Sequence, residues 1–481
     1  MKEITFVDTT LRDAHQSLWN GKMTTPMMLS IAPVMDQVGF ESLDLMALIS
    51  MEWCIRHQKE NPWERIRLIA KAMPNTPLIV GGVLRNFGNV PDSVTEFWAK
   101  KIAQAGARRI RINDPCHDIQ QITKAIKWSK AAGLMTMVAL IYSYSPAHTD
   151  NYYAQKALEM AKAGAERIFI KDVDGLLTPE RTQTLVPAIM KNIDGIPLEI
   201  HGHCTTGLAP LCYLEAIKKG VQSVHTAISP LANGPSQPST ENIMKNARRL
   251  GFSVNLMEEP LKAMAEHFRY IAKREGFPVG SPVEYDLFQY EHQVPGGMMA
   301  NYKAELAVRG LEHRLDELLE EIALIRKELG YPIMVTPLSQ YVGAQAILNH
   351  TAGERYKIVT DEIIKYILGH YGELAAPVDK EVLDKIMRLP RTKELLDWEP
   401  PEKSIKELRR EFGPELSDEE FLLRVLTTNQ QAVDEVLAAE QTNYDYPKED
   451  KPVLALVREL TKRKDSAFIQ IRKGDFSLML R

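Results

Sequence analysis

Two histidines one residue apart, His201 and His203, close the apolar run PLEIHGH at 197–203. On an extended strand positions i and i+2 face the same way, so both imidazoles point together. Side by side they can give one metal ion two neutral nitrogens, or remain partly exposed histidines making ordinary hydrogen bonds. Asp13, in TTLRDAHQS after the first apolar run, offers a carboxylate. Two imidazoles and one carboxylate leave coordination positions open for water or substrate, as a catalytic metal requires. Lys171 ends the run RIFIKD at 167–172. A lysine there must find a partner, reach water or give up its charge. Paired, it sits against Asp172 or Asp174. Neutral, it can attack a carbonyl, or take up CO2 as a carbamate and so become an anionic oxygen ligand beside Asp13, His201 and His203. Arg12 and Arg85 suit a carboxylate-bearing substrate, because a guanidinium grips a carboxylate with two bonds. Their structural alternative is ion pairing to Asp8 or Asp114.

Eight short apolar runs must position these groups: 4–8, 41–48, 77–85, 108–114, 134–143, 167–172, 197–203 and 221–229. Segments with helical spacing lie between them, such as WERIRLIAKAM (63–73) and YYAQKALEMAKAG (152–164). Eight strand–helix repeats predict a closed parallel (β/α)8 TIM barrel, an α/β fold with its chemistry at the strand C-terminal ends. An open doubly wound sheet is the competing arrangement, but no GxGxxG follows the first strand. Beyond residue 300 the pattern becomes helical, with LEHRLDELLEEIALIRKELG (311–330), TDEIIKYILGHYG (360–372), DKEVLDKIMR (379–388) and SDEEFLLRVL (417–426). Ser417 with Glu420 spells a capping box. The reading is a barrel domain over 1–300, a helical domain over 301–450 packed on the barrel mouth, and a tail at 451–481. The KGD in FIQIRKGDFSLML predicts a hairpin in that tail.

The formal net charge is −4, which excludes a strong field for nucleic acid or anionic lipid. The four cysteines show no metal or disulfide spacing, which points to a reducing compartment. MKEITFVDTT lacks a signal-peptide apolar region, and no stretch approaches the ~20 apolar residues of a membrane span. A cytoplasmic location without membrane insertion, and a homo-oligomer by the default of soluble enzymes, are expected.

The sequence resembles the carboxyltransferase component of biotin-dependent enzymes: the oxaloacetate decarboxylase alpha subunit, the pyruvate-side subunit of transcarboxylase and the matching domain of pyruvate carboxylase. The resemblance runs from residue 4 to about 430. It is carried by TLRDAHQS (10–17), ENPWERIRLIAKAMPN (60–75), LR (84–85), IKD (170–172), HGHCTTG (201–207), TAISPLANGPSQPSTE (226–241), PGGMMAN (295–301) and VTPLSQYVGAQA (335–346). It implies a divalent metal (zinc, manganese or cobalt) held by Asp13, carbamylated Lys171, His201 and His203. It also implies that Arg12 and Arg85 hold a 2-oxo acid, that Gln16 lies near the biotin ring, and that Ser339 and Gln340 line the biotin pocket. Thr336 becomes the proton shuttle; without the resemblance, Thr336 reads as a helix N-cap before Pro337. No AMKM biotin-attachment sequence is present. A biotinylated carrier protein and a biotin carboxylase or decarboxylase subunit are therefore expected as partners. The stretches 46–57 and 85–92, and Asn113 in RIND, depart from the family on the substrate side, which leaves the acceptor acid open. Two further readings compete. One is a lyase or aldol-type synthase of the metal-dependent barrels, which begin with a similar DTTLRD and share HxH. The other is a non-catalytic assembly subunit.

Overall fold

A computed structural model of the chain describes residues 2–82, 90–308, 310, 312–439, 444–447, 469–473 and 476–480. The eight apolar runs form strands β1 (Thr5–Asp8), β2 (Ser42–Met46), β3 (Leu78–Gly81), β4 (Arg109–Ile112), β5 (Met135–Ile141), β6 (Arg167–Asp172), β7 (Leu198–Gly202) and β8 (Ser223–Thr226). All pairings are parallel, and β8 pairs β1 to close the barrel. The intervening amphipathic segments cross back as helices, including α1 (His15–Trp19), α2 (Pro62–Ala72), α3 (Asp92–Ala105), α4 (Ile119–Ala131), α5 (Asp150–Lys162), α6 (Pro179–Met190), α7 (Ala209–Lys218) and α8 (Thr240–Arg249). Side-chain caps begin several of these helices: Asn61 accepts from the Trp63 amide, Asp118 from Gln120 and Gln121, and Thr149 from Tyr152. Each cap satisfies amides the helix leaves unpaired at its start.

The barrel interior follows from the period-2 alternation of the strands. Val7, Ile79, Met137, Ala139, Ile141 and Phe169 form one buried apolar cluster within it. Ile333, from the helical half, belongs to the same cluster, and Val335 packs against it. The segment after α9 (Leu315–Glu328) therefore reaches the barrel interior before α10 (Leu338–Thr351) begins. Both helices share a second core, in which Leu318, Ile322, Ile325, Met334, Leu338 and Val342 pack with Cys116 from the loop after β4. Arg326 of α9 reinforces this seating by donating to Ser143 Oγ and the Tyr144 carbonyl beyond β5, each at 2.9 Å.

Residues Met1–Thr442 form one compact unit and Asn443–Arg481 another. In the second unit β9 (Ile469–Lys473) pairs antiparallel with β10 (Phe476–Leu480). Ser417 caps its helix by accepting from the Glu420 amide at 3.2 Å, but the reciprocal capping box occurs at Ser404 and Glu407.

Candidate active site

At the end of β1 the chain enters a π-helical turn, Thr10–Ala14, that buries Arg12 and Asp13. Wide turns of this kind are frequent at functional sites. Register sets the facing groups: Lys171 of β6 pairs with His201 of β7, so neighbouring strands present both on one face. After β6 the chain turns at Gly175, with φ +65, tight against the loop after β7. A Cβ at Gly175 would meet Thr205 Oγ1 at 2.3 Å and the His203 carbonyl at 2.8 Å, so only glycine fits.

Asp13, His201 and His203 converge. His201 Nε2 lies 3.3 Å from Asp13 Oδ2, and His203 Nε2 lies 3.6 Å from Asp13 Oδ1. The two Nε2 atoms are 3.3 Å apart. Ligands about 2.1 Å from a tetrahedral ion are separated by about 3.4 Å, so these three atoms fit one cation. His203 Nδ1 is 2.6 Å from the Pro235 carbonyl and must donate to it, which leaves Nε2 bare as a ligand. Gln237 accepts from Thr9 Oγ1 at 2.7 Å and turns its amide nitrogen toward that bare atom, at 3.0 Å. Burial holds both imidazoles below their ordinary pKa despite Asp13, and so keeps them neutral. Against the upward push of burial, the charge of Arg12 and contact with His203 and His201 hold the Asp13 carboxyl well below its usual range.

Lys171 is buried and has no ion-pair partner among the described residues. The pairing considered with Asp172 or Asp174 does not form. Asp172 turns into its own loop and accepts from the amides of Leu176 at 2.9 Å and Leu177 at 2.8 Å. Both Asp174 oxygens are buried without a hydrogen-bond partner. Burial, aided by the positive charges of Arg111 and Arg12, lowers the Lys171 pKa to about 7. The amine borders a cavity of about 10 Å³, room for about one water, lined also by Arg12, Asp44, Arg111, His201 and His225. A neutral, nucleophilic amine is what carbamylation needs.

Arg12 pairs with Asp13 through its terminal nitrogen at 2.6 Å and with Asp44 through Nε at 2.8 Å. Neither Asp8 nor Asp114 holds it. Asp8 accepts from Thr10, and Asp114 from the amides of Cys116 and Asp118. Burial pushes both of these carboxyls up to about 7. Arg85 lies outside the described residues.

Gln16 stands half-buried on α1, its Oε1 unpartnered. Thr336 is exposed, three residues beyond Ile333 in the barrel cluster, so chain geometry keeps it within about 11 Å of that anchor. Thr336 is not an N-cap: Pro337 holds that position and α10 begins at Leu338. The Thr336–Pro337 bond is cis. Ser339 is buried with an unpartnered Oγ, and Gln340 is exposed on the same turn.

Sequence reasoning missed Asp44, Arg111, Glu199, His225 and Gln237. Asp44 bridges Arg12 and Arg111. His225 Nε2 lies 2.7 Å from Glu199 Oε2, and its Nδ1 lies 3.3 Å from His201 Nδ1. For all but Gln237, which lies in the loop after β8, polar residues at strand positions that otherwise carry apolar side chains were the available signal.

The HMGL-like family matches residues 3–266, more than half of the chain, and the family described as "Conserved carboxylase domain" matches 290–463. A pyruvate carboxylase subunit of Methanocaldococcus jannaschii is 37% identical over 88% of this chain and 76% of its own length. The 2-oxoglutarate carboxylase large subunit of Hydrogenobacter thermophilus is 32% identical over 88% and 67%. The methylmalonyl-CoA carboxyltransferase 5S subunit of Propionibacterium freudenreichii is 33% identical over 88% and 86%. The carboxyl transferase domain of Rhizobium etli pyruvate carboxylase, solved with oxamate and biotin, shares the fold with a TM-score of 0.80 at 24% identity. That match covers 91% of this chain and 78% of the other.

Proposed function

This chain belongs to the carboxyltransferase family of biotin-dependent enzymes, and from that premise we propose that it moves a carboxyl group between carboxybiotin on a separate carrier protein and a 2-oxo acid. Pyruvate with oxaloacetate is the favoured pair, with 2-oxoglutarate as the related acid. The convergence of Asp13, His201 and His203 beside Lys171, which has no ion-pair partner among the described residues, carries this reading. The match of 290–463 to a carboxylase domain favours carboxyl transfer over the aldol-type alternative. The intact cluster speaks against a purely structural subunit.

The donor set fits a divalent metal, with zinc, manganese and cobalt all suited to mixed nitrogen and oxygen ligands. Asp13, His201, His203 and a carbamate on Lys171 would hold it. When bound, it supplies Lewis-acid stabilisation of enolate charge. Arg12, locked by Asp13 and Asp44, presents fixed positive charge to the acid's carboxylate, with Arg85 as the second arginine. Gln16, Ser339 and Gln340 face the biotin ring. Thr336 gives its hydroxyl proton to the ureido nitrogen as CO2 leaves, and recovers a proton from the methyl group of the acid. The resulting enolate attacks CO2. Run backward, the same transfers decarboxylate oxaloacetate.

The partners are a biotinylated carrier and a biotin carboxylase or decarboxylase subunit, around a homo-oligomer of this chain in the cytoplasm. Among the described residues no helix is long and apolar enough to cross a membrane. Residues 1–300 act as the barrel domain and 301–450 as the helical domain that brings Thr336, with 451–481 as a tail.

The test is oxaloacetate decarboxylation with free biotin, comparing wild type with Thr336→Ala. Loss of a general acid–base group lowers the rate by about 10²–10⁴-fold. Equal rates in the two proteins remove Thr336 as the shuttle, and no turnover by wild type with any 2-oxo acid removes the proposed substrate class.

A further inference from the structure

The stretch PGGMMAN (295–301) opens the helix Gly296–Val308, and VTPLSQYVGAQA (335–346) holds Thr336 and the start of α10. Tyr302 of that helix reaches α10. Its hydroxyl donates to the Ser339 carbonyl at 3.1 Å, and both residues are buried. The phenol lies hard against α10. A Cβ at Gly343 would sit 1.8 Å from the hydroxyl and 2.6 Å from the ring carbon that bears it, so only glycine leaves room. Within an α-helix the amide of residue 343 bonds the carbonyl of residue 339, and that oxygen has a second lone pair for the phenol. Ser339 is tied on its other side as well. Its amide donates to the Val335 carbonyl at 3.2 Å, which closes a turn around Thr336. One residue is thus fastened both to the chain just before Thr336 and to Tyr302.

The start of the same helix is fixed to the barrel. Gln293, fully buried, pairs its side-chain amide with the backbone of Tyr144 beyond β5: it accepts from the Tyr144 amide at 3.4 Å and donates to the Tyr144 carbonyl at 2.6 Å. Gly296 then abuts Pro235, where a Cβ would lie 3.1 Å from Pro235 Cβ. The Pro235 carbonyl is the group 2.6 Å from His203 Nδ1. The helix therefore touches the loop behind a candidate metal ligand at Gly296 and the Thr336 turn at Tyr302, about 9 Å further along its axis at about 1.5 Å per residue. We propose, on the reading of Thr336 as the proton shuttle given above, that Tyr302 is a positioning residue: it pins the Ser339 peptide, so that the helix Gly296–Val308 sets how far Thr336 stands from the metal centre. Tyr302 acts through the turn, not on the substrate. Misplacing a catalytic group by about 1 Å costs about 10²-fold in rate, so a single bond at this point reaches the chemistry.

The experiment uses the full-length zinc-loaded protein: wild type, Tyr302→Phe, Thr336→Ala and the double variant. Tyr302→Phe keeps the ring beside Gly343 and deletes the donor. Oxaloacetate decarboxylation with free biotin gives kcat and KM, competition with a chromophoric chelator gives zinc affinity, and thermal melting reports folding. Tyr302→Phe is expected to lower kcat by about 10–100-fold, with KM and zinc affinity within about twofold of wild type. In the Thr336→Ala background the same change is expected to alter kcat by less than about twofold, because the group it positions is gone. Amide hydrogen exchange in Tyr302→Phe is expected to quicken over 335–346 and to stay unchanged over 201–207. A folded Tyr302→Phe with wild-type kcat or wild-type exchange over 335–346, an undiminished loss in the double variant, or an equal fall in zinc affinity overturns the proposal and leaves Thr336 standing. Thr336→Ala as active as wild type overturns the shuttle and this proposal together. Where Tyr302→Phe fails to melt cooperatively, Gly343→Ala, whose Cβ displaces the hydroxyl from Ser339, is read against the same outcomes.

Discussion

Replacing Lys171 by Met removes a charge while keeping a similar stem. In the folded chain burial, then Arg111 and Arg12, lower this pKa from 10.5 to about 7. The unfolded chain therefore binds more protons between about pH 7 and 10.5, and the site's contribution to stability rises with pH across that window. The full difference is about 5 kcal/mol, at about 1.4 kcal/mol per pH decade. Near pH 6 both states are protonated, and wild type bears the whole cost of burying the ammonium. Lys171→Met should then be the more stable protein by about 5 kcal/mol near pH 6, with the gap closing to about zero by pH 10.5. Urea unfolding of the metal-free, CO2-free pair along this pH range measures the gap. A second arm adds bicarbonate and zinc near pH 8, where about 90% of Lys171 is neutral against under about 1% of an ordinary lysine. Wild type should gain stability there and Lys171→Met should not. A gap that stays constant with pH would show an ordinary charged lysine and refute the carbamate route.

Ile333→Ala empties a buried site inside the barrel cluster and should cost about 2–5 kcal/mol; because it loosens the segment leading to Thr336, kcat should fall more than zinc affinity, a split that kinetics and chelator competition resolve. Since burial keeps His201 and His203 neutral, zinc affinity of Lys171→Met should change little between about pH 6 and 7.5, whereas two imidazoles of ordinary pKa would lose more than about tenfold. Arg12→Lys cannot reproduce the two fixed bonds to Asp13 and Asp44, so kcat/KM for the 2-oxo acid should drop by about 10–100-fold, the loss of one charged hydrogen bond. Asp44→Ala leaves Arg12 with Asp13 alone and strips buried Arg111 of the carboxylate it pairs with, and should destabilise the fold by about 3–5 kcal/mol, read by denaturant midpoint.

The barrel was legible because each strand is a short aliphatic run bounded by polar turns, and parallel strands buried on both faces read that way in any context. His201 and His203 were legible for the same reason, since the pairing of i and i+2 is a property of one strand. Thr336 came only through family resemblance. Nothing local distinguishes it from a cap, and the structure shows that it is not one.

Linear order determined which strands, helices and candidate ligands this protein has, because backbone periodicity and side-chain chemistry act over a few residues. It left open whom Lys171 and Arg12 would meet. Closing the barrel brought β1, β2, β4, β6, β7 and β8 to one axis, where Arg12 chose Asp44 over Asp114 and Lys171 was left without an acidic partner among the described residues. It also placed His225 behind His201 and seated Ile333 among strand residues far away in sequence. Contacts between side chains on different strands depend on register, closure and burial together, and no single segment carries that information.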